Sequence, residues 1–98
     1  MVVDRAQIDI KPGEEDAFVA SVRWAAADVL PQAQGYRSVR LYRGIESPSR
    51  FLMLVEWDSL EDHERFRDTS ELVGSWLERL RGYVAGPPEV GHFELLES

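Results

Sequence analysis

His63 is the residue whose type and position are best suited to acid-base chemistry. It shares a predicted helical stripe with Leu60 and Phe66, which lie three residues to either side of it. An imidazole that is partly shielded from water can accept or release a proton near neutral pH. The same spacing is compatible with a structural histidine bonded to a nearby carbonyl, so a structural role is the alternative to a catalytic one.

His92 and Glu94 are the second pair that could do chemistry. They lie two residues apart on a predicted strand and therefore share a face, where an imidazole and a carboxylate could bind a metal ion. A catalytic zinc site usually has three protein ligands, and the chain offers no cysteine to complete one. We therefore predict that this pair is structural and that the protein has no metal site.

The hydrophobic pattern predicts the order strand, helix, strand, strand, helix, strand. The predicted strands are Val2 to Ile10, Tyr36 to Arg43, Phe51 to Trp57 and Val90 to Leu96. The first helix occupies residues 14–30, with an apolar stripe of Phe18, Val22, Ala25 and Val29. The second helix starts after Asp58 or Ser59, breaks at Thr69-Ser70, and continues with a stripe of Val73, Trp76, Leu77, Leu80 and Val84.

The phase of each strand indicates which face is buried. Ala6 and Ile8 share one face of the first strand, and Val39 and Leu41 oppose Tyr36 in the second. The uninterrupted apolar run that starts at Phe51 is typical of a strand buried on both faces. The order of elements predicts an α+β, ferredoxin-like βαββαβ fold in one domain, residues 1–98, with a four-stranded antiparallel sheet. Because both helices cover one face, we expect the other face to pair with a second copy in a homodimer.

The charge and composition exclude several functional classes. A net charge of −7 and a pI near 4.7 oppose nucleic-acid binding, since no basic surface is available for phosphates. The absence of cysteine excludes disulfides, thiolate nucleophiles and iron-sulfur ligation. No apolar run is long enough to span a membrane, so a cytoplasmic protein that does not bind membranes is expected.

The chain resembles the antibiotic biosynthesis monooxygenase family over almost its whole length. The resemblance is carried by the segments 10–13, 35–36, 51–57, 59–63, 76–77 and 88–93, together with Phe18 and Phe66. It implies a dimeric α+β barrel built from ferredoxin-like subunits. The superfamily includes oxidases, haem degraders, isomerases and decarboxylases, so the resemblance is more specific for the fold than for the reaction.

The chain departs from the residue patterns of two branches of this superfamily. The positions at which haem degraders carry an asparagine, a tryptophan and an iron-binding histidine are occupied here by Ala6, Phe66 and Trp76. An indole nitrogen is a donor only, so Trp76 cannot bind iron. The cofactor-free anthrone oxidases also depend on an asparagine, and this chain contains none.

The resemblance implies a cofactor-independent monooxygenase or oxidase that acts on a small aromatic phenol, quinol or polyketide-like molecule. We expect no cofactor, because the deprotonated substrate itself reduces oxygen. His63 is the predicted base, and Phe18, Met53, Phe66 and Trp76 are predicted to form an apolar substrate pocket. Arg67, or a tyrosine, would donate to the developing oxyanion. The alternatives are a non-catalytic dimeric module for ligand binding or assembly and, third, a haem-degrading monooxygenase.

Overall fold

The computed structural model describes residues 1–98, and its elements follow the predicted order. They are β1 Val2–Asp9, α1 Glu15–Asp28, β2 Tyr36–Arg43, β3 Arg50–Trp57, α2 Leu60–Thr69, α3 Glu71–Arg81 and β4 Glu89–Glu94. A short 3₁₀ turn, Leu30–Gln32, follows α1. The predicted break in the second helical region is confirmed, because Ser70 separates α2 from α3.

Serine side chains fix the start of both later helices. Ser59 Oγ accepts a hydrogen bond from the Asp62 N–H at 3.2 Å, and Ser70 Oγ accepts one from the Val73 N–H at 3.2 Å. Each hydroxyl satisfies an amide that has no partner within its own helix. The cap at Ser59 therefore determines where α2 begins and which of its residues point toward the sheet, His63 among them.

The four strands form one antiparallel sheet in the order β2-β3-β1-β4. The two central strands pair along their whole length, with Val2 opposite Trp57 and Asp9 opposite Arg50. Non-consecutive strands lie side by side because each helical segment crosses over the same face of the sheet. This topology confirms the predicted ferredoxin-like α+β fold.

The core lies between the helices and one face of the sheet. The sheet contributes side chains that are at most 8 % exposed: Ala6, Ile8, Phe51, Met53, Val55 and Trp57. The predicted α1 stripe is buried, as are Phe66, Val73, Trp76 and Leu80 from α2 and α3. Leu77 is an exception, because it lies at the edge of its stripe and remains 40 % exposed.

The predicted phase of β2 is wrong at Tyr36. The register shifts between Tyr36 and Ser38, so that Tyr36 lies opposite Trp57 while Ser38 lies opposite the neighbouring Glu56. This irregularity inserts an extra residue and places Tyr36 on the same face as Val39. The Tyr36 ring packs edge-on against Trp57, with the ring centroids 5.9 Å apart.

The prediction that Val84 extends the α3 stripe is also wrong. The helix ends at Arg81, and Val84 forms an antiparallel bridge with Ile10. The backbone on both sides of this bridge is hydrogen-bonded to the chain around the end of β1. The Ala85 N–H donates to the Asp9 carbonyl, and the Tyr83 carbonyl accepts from the Lys11 N–H, both at 2.8 Å. The segment after α3 is therefore held against the sheet, where it closes one end of the cavity described below.

No element of the chain covers the second face of the sheet. In the middle of this face Leu54 is half-buried between its register partners Arg5 and Arg40. Leu52 lies on the same face, and Phe93 is 58 % exposed there. None of the three helices combines the length and the apolarity that crossing a membrane requires.

Candidate active site

A cavity of about 650 Å³ lies between the covered face of the sheet and the helices. Of its 22 lining residues, 15 are hydrophobic, so the walls are mainly apolar with a few polar groups. This size and this lining are typical of sites for small organic molecules. The cavity is therefore the candidate site for ligand binding in this chain.

The structure brings all the residues predicted for the site to this cavity. Its walls include His63 and the five residues predicted to bind substrate, which are Phe18, Met53, Phe66, Arg67 and Trp76. The guanidinium of Arg67 donates to the Asp68 carboxylate at 3.0 Å, and about half of the Arg67 side chain is exposed. That any of these side chains contacts a substrate stays a prediction.

His63 lies in a cluster with Asp4 and His92, which we call the Asp-His-His cluster. His63 Nε2 is 3.3 Å from Asp4 Oδ2, and His63 Nδ1 is 3.1 Å from His92 Nε2. His92 Nε2 is in turn 3.7 Å from Asp4 Oδ1. All three residues line the cavity, so they place titratable polar groups on a mainly apolar wall.

Three separate elements build this cluster. Asp4 on β1 and His92 on β4 are register partners in the sheet, and His63 comes from the first half of α2. The His63 ring stacks on Trp57 at the end of β3, with a centroid distance of 5.2 Å and an interplanar angle of 26°. The indole fixes the plane of the imidazole, so that one ring edge faces Asp4 and another faces His92.

Burial lowers the pKa of His63 below its ordinary value, because desolvation disfavours the imidazolium form. The Asp4 carboxylate opposes this effect and raises the pKa, whereas His92 and Arg67 lower it. A neutral imidazole carries one N–H. If it is on Nε2, Nδ1 is free to accept a hydrogen bond from His92 Nε2.

The sequence matches the family model described as "Antibiotic biosynthesis monooxygenase" over residues 1–73. The matched segment runs from β1 into α3 and includes His63. The chain belongs to the antibiotic biosynthesis monooxygenase family. It is also 37 % identical over 95 residues to the uncharacterized protein YczJ of Bacillus subtilis (strain 168). The matched region covers 96 % of this chain and 98 % of YczJ.

Solved structures of other proteins share this fold. A crystal structure from Bordetella bronchiseptica is 31 % identical, covers 98 % of this chain and 97 % of its own, and superposes with a TM-score of 0.88. SnoaB from Streptomyces nogalater, described as a cofactor-independent oxygenase, superposes with a TM-score of 0.86. That likeness covers 99 % of this chain and 94 % of SnoaB at 15 % identity, and it shows a shared fold.

Trp76 links α3 to α1 through its indole. Its indole N–H donates to Ser21 Oγ at 3.1 Å in a buried hydrogen bond between α3 and α1. The one polar atom of this side chain is therefore already satisfied within the protein. The Trp76 ring both packs in the core and lines the cavity.

Two buried polar atoms of cavity-lining residues have no hydrogen-bond partner in the protein, Asp4 Oδ1 and Trp57 Nε1. Leaving such a group unpaired costs about 1–3 kcal/mol, so buried polar atoms without partners are rare. The indole N–H is a donor and the carboxylate oxygen is an acceptor. A bound molecule or ion could satisfy either of them.

The sequence did not point to Asp4, to Trp57 as a donor, or to His92 as a neighbour of His63. The alternation of β1 could have indicated Asp4, because Asp4 lies on the same inward face as Ala6 and Ile8. His92 lies on the same face of β4 as Val90, and Val90 pairs with Ala6 on the inward face of the sheet. Glu94, which the sequence paired with His92, is not part of the cluster.

Proposed function

We propose that the protein is a cofactor-independent monooxygenase or oxidase of a small, planar, acidic aromatic molecule, such as a phenol, a quinol or a polyketide-like compound. The observation that carries the proposal is the position of His63, backed by a carboxylate, on the wall of an apolar cavity. Membership of the antibiotic biosynthesis monooxygenase family supports the same class of reaction.

The proposed reaction needs little from the protein beyond a base and a dry pocket. His63 Nδ1 takes a proton from the substrate after the exposed His92 side chain moves aside, and Asp4 stabilises the resulting imidazolium through Nε2. The substrate anion then passes electrons to oxygen. At an activated CH₂ group, one oxygen atom becomes the carbonyl and the other leaves as water, so the substrate supplies all four electrons.

The aromatic and aliphatic walls would hold the substrate and exclude water. Phe18, Met53, Phe66 and Trp76 supply this apolar contact in the proposal. Arg67 or the unpartnered indole N–H of Trp57 would donate to the oxygen on which negative charge develops. A hydrogen bond from such a donor stabilises the negative charge more strongly than it would in water, because the surrounding cavity is apolar.

Oxygen uptake by metal-stripped protein tests the proposal on a panel of anthrones, hydroquinones and naphthols. We expect turnover of at least one class, and we expect His63→Ala to lower its rate by at least about 100-fold, the lower limit for a lost general base. Glu61→Ala is the matched control, since Glu61 is exposed on the same helix and does not line the cavity. An unchanged rate in a folded His63→Ala protein would show that His63 is not the base.

A second candidate is a non-catalytic module that holds a small apolar ligand. The chain lacks asparagine, on which the cofactor-free anthrone oxidases of the superfamily depend, and most of the cavity wall is hydrophobic. Tight retention of an aromatic probe without oxygen uptake or product would favour this candidate over the oxygenase.

The proposal includes a homodimer formed through the uncovered faces of two sheets. Apolar Leu52 and Leu54 on this face support it, as does the small size of the chain, which limits how much surface one copy can bury. In sedimentation velocity at micromolar concentration, we expect a dimer that Leu54→Glu converts to a monomer. The new carboxylate would lie between Arg5 and Arg40, so the monomer should stay folded.

Leu72→Glu is the control for the dimer experiment. Leu72 is 39 % exposed on α3 and does not lie on the sheet, so this change introduces the same charge at a distant surface. We expect Leu72→Glu to remain dimeric. A wild-type protein that sediments as a monomer would contradict the proposed assembly.

A further inference from the structure

We propose that the Asp-His-His cluster is a binding site for a divalent transition-metal ion. One donor atom from each of Asp4, His63 and His92 lies within 4.8 Å of the other two. The sequence predicted no metal site because it indicated only two neighbouring ligands, His92 and Glu94. The fold supplies the missing ligands from β1 and α2, which meets the usual requirement for three.

Two of the three distances between the proposed donor atoms suit a single ion. Ligands about 2.1 Å from a metal stand about 3.0 Å apart in octahedral geometry and about 3.4 Å apart in tetrahedral geometry. His63 Nδ1 and His92 Nε2 are 3.1 Å apart, and His92 Nε2 is 3.7 Å from Asp4 Oδ1. These two spacings are close to the required ones, so His63 Nδ1, His92 Nε2 and Asp4 Oδ1 are the proposed ligand atoms.

The unpaired oxygen of Asp4 is an independent reason to expect a cation. Asp4 Oδ1 is buried and has no hydrogen-bond partner, although its side chain is only 16 % exposed. The other oxygen, Oδ2, lies 3.3 Å from His63 Nε2. A cation shared with the two imidazoles would satisfy Oδ1, since buried charges are commonly paired or bind metal ions.

The ligand types indicate which ions the site would take. Imidazole nitrogens favour zinc, iron, cobalt, nickel and copper over magnesium or calcium, which prefer oxygen ligands. Two histidines and one carboxylate also leave coordination positions open, and here the cluster lies on the wall of the cavity. An ion in this site would therefore be accessible to a small molecule bound in the cavity.

Metal binding and the proposed base role exclude each other at the same nitrogen. A metal on His63 Nδ1 uses the lone pair that would otherwise accept the substrate proton. The protein with metal bound should therefore lose the oxygenase activity proposed for the metal-free protein. This consequence rests on the proposed function. The binding itself does not rest on it and can be measured without substrate or oxygen.

The proposal is tested by calorimetric titration of the chelator-stripped, untagged protein with Zn²⁺. A parallel titration with Co²⁺ is followed by visible absorption. We expect saturable binding of one ion per chain. Asp4→Asn and His92→Ala should each weaken it by at least about tenfold, since loss of even an outer-shell partner costs about 10–100-fold. His63 and His92 are the only histidines in the chain, so no other imidazole can produce the signal.

Asp9→Asn is the matched control for Asp4→Asn. Asp9 lies on the same strand but is exposed and pairs with Arg50, so its removal should leave metal affinity unchanged. His92 is exposed, so His92→Ala should fold even if changes at the other two positions disturb the core. Substoichiometric binding, or affinity that is unchanged in His92→Ala and Asp4→Asn, would overturn the proposal whatever the outcome of the oxygen-uptake experiment.

Discussion

Trp57→Ala is expected to lower the free energy of unfolding by about 3–5 kcal/mol, the usual cost of removing a buried aromatic side chain. Trp57 is 1 % exposed and ends β3 at the edge of the cavity. Its ring contacts three other rings, those of Tyr36, His63 and Phe66, with centroids 5.2 to 5.9 Å away. Urea unfolding followed by far-ultraviolet circular dichroism measures the change.

Trp24→Ala provides the comparison, because it removes the same side chain from a half-buried position on α1. The Trp24 ring lies beneath Arg79, whose guanidinium carbon is 5.0 Å from the ring centroid. We expect a loss of about 1–2 kcal/mol, from partial burial and one cation-π contact. Equal losses for the two variants would show that Trp57 does not hold together the sheet, α2 and the cavity wall.

The fold could be predicted because burial produces simple periods in this sequence. The spacing of Phe18, Val22 and Ala25 gave the inner face of α1, and the apolar run from Phe51 gave a central strand. Each pattern depends only on local geometry and on which side of an element meets the core. A β-bulge breaks that rule, and the extra residue between Tyr36 and Ser38 reversed the predicted direction of Tyr36.

The candidate site was only partly predictable. His63 could be chosen because its stripe includes Phe66, and the apolar lining followed from the helical stripes. Asp4 and His92 could not be joined to it, because their proximity depends on the pairing of β1 with β4, which are about as distant in sequence as two strands of this chain can be. Strand order comes from the tertiary fold rather than from local periodicity.

Asp4 shows how a polar residue on an apolar face can indicate function. Its neighbours in phase, Ala6 and Ile8, are buried, and a carboxylate among them is costly unless something compensates its charge. Within 4 Å only the imidazoles of His63 and His92 could do so, and one oxygen has no hydrogen-bond partner. Both proposals for this protein, the base and the metal ion, depend on this carboxylate.

Gly35→Ala is expected to destabilise the protein by about 2–3 kcal/mol. Gly35 has a φ of +84°, a left-handed conformation that costs other residues about 1–2 kcal/mol. A Cβ there would also overlap the Asp62 carboxylate, which accepts hydrogen bonds from Ser59 Oγ at 3.0 Å and Arg65 Nη1 at 2.9 Å. Displacing Asp62 disturbs the start of α2 at a further cost of about 1 kcal/mol.

Gly74→Ala should change the free energy of unfolding in the opposite direction. Both variants are measured by urea unfolding under identical conditions. Gly74 lies inside α3, where no atom beyond the backbone of the helix itself comes within 4 Å of the place that a Cβ would take. Alanine there should stabilise the protein by about 0.5–1 kcal/mol, because it restricts the unfolded chain and favours the helix. If Gly35→Ala proved as harmless as Gly74→Ala, the turn before β2 would not constrain α2. The position of His63 over the sheet would then have to depend on the Ser59 cap and on stacking against Trp57.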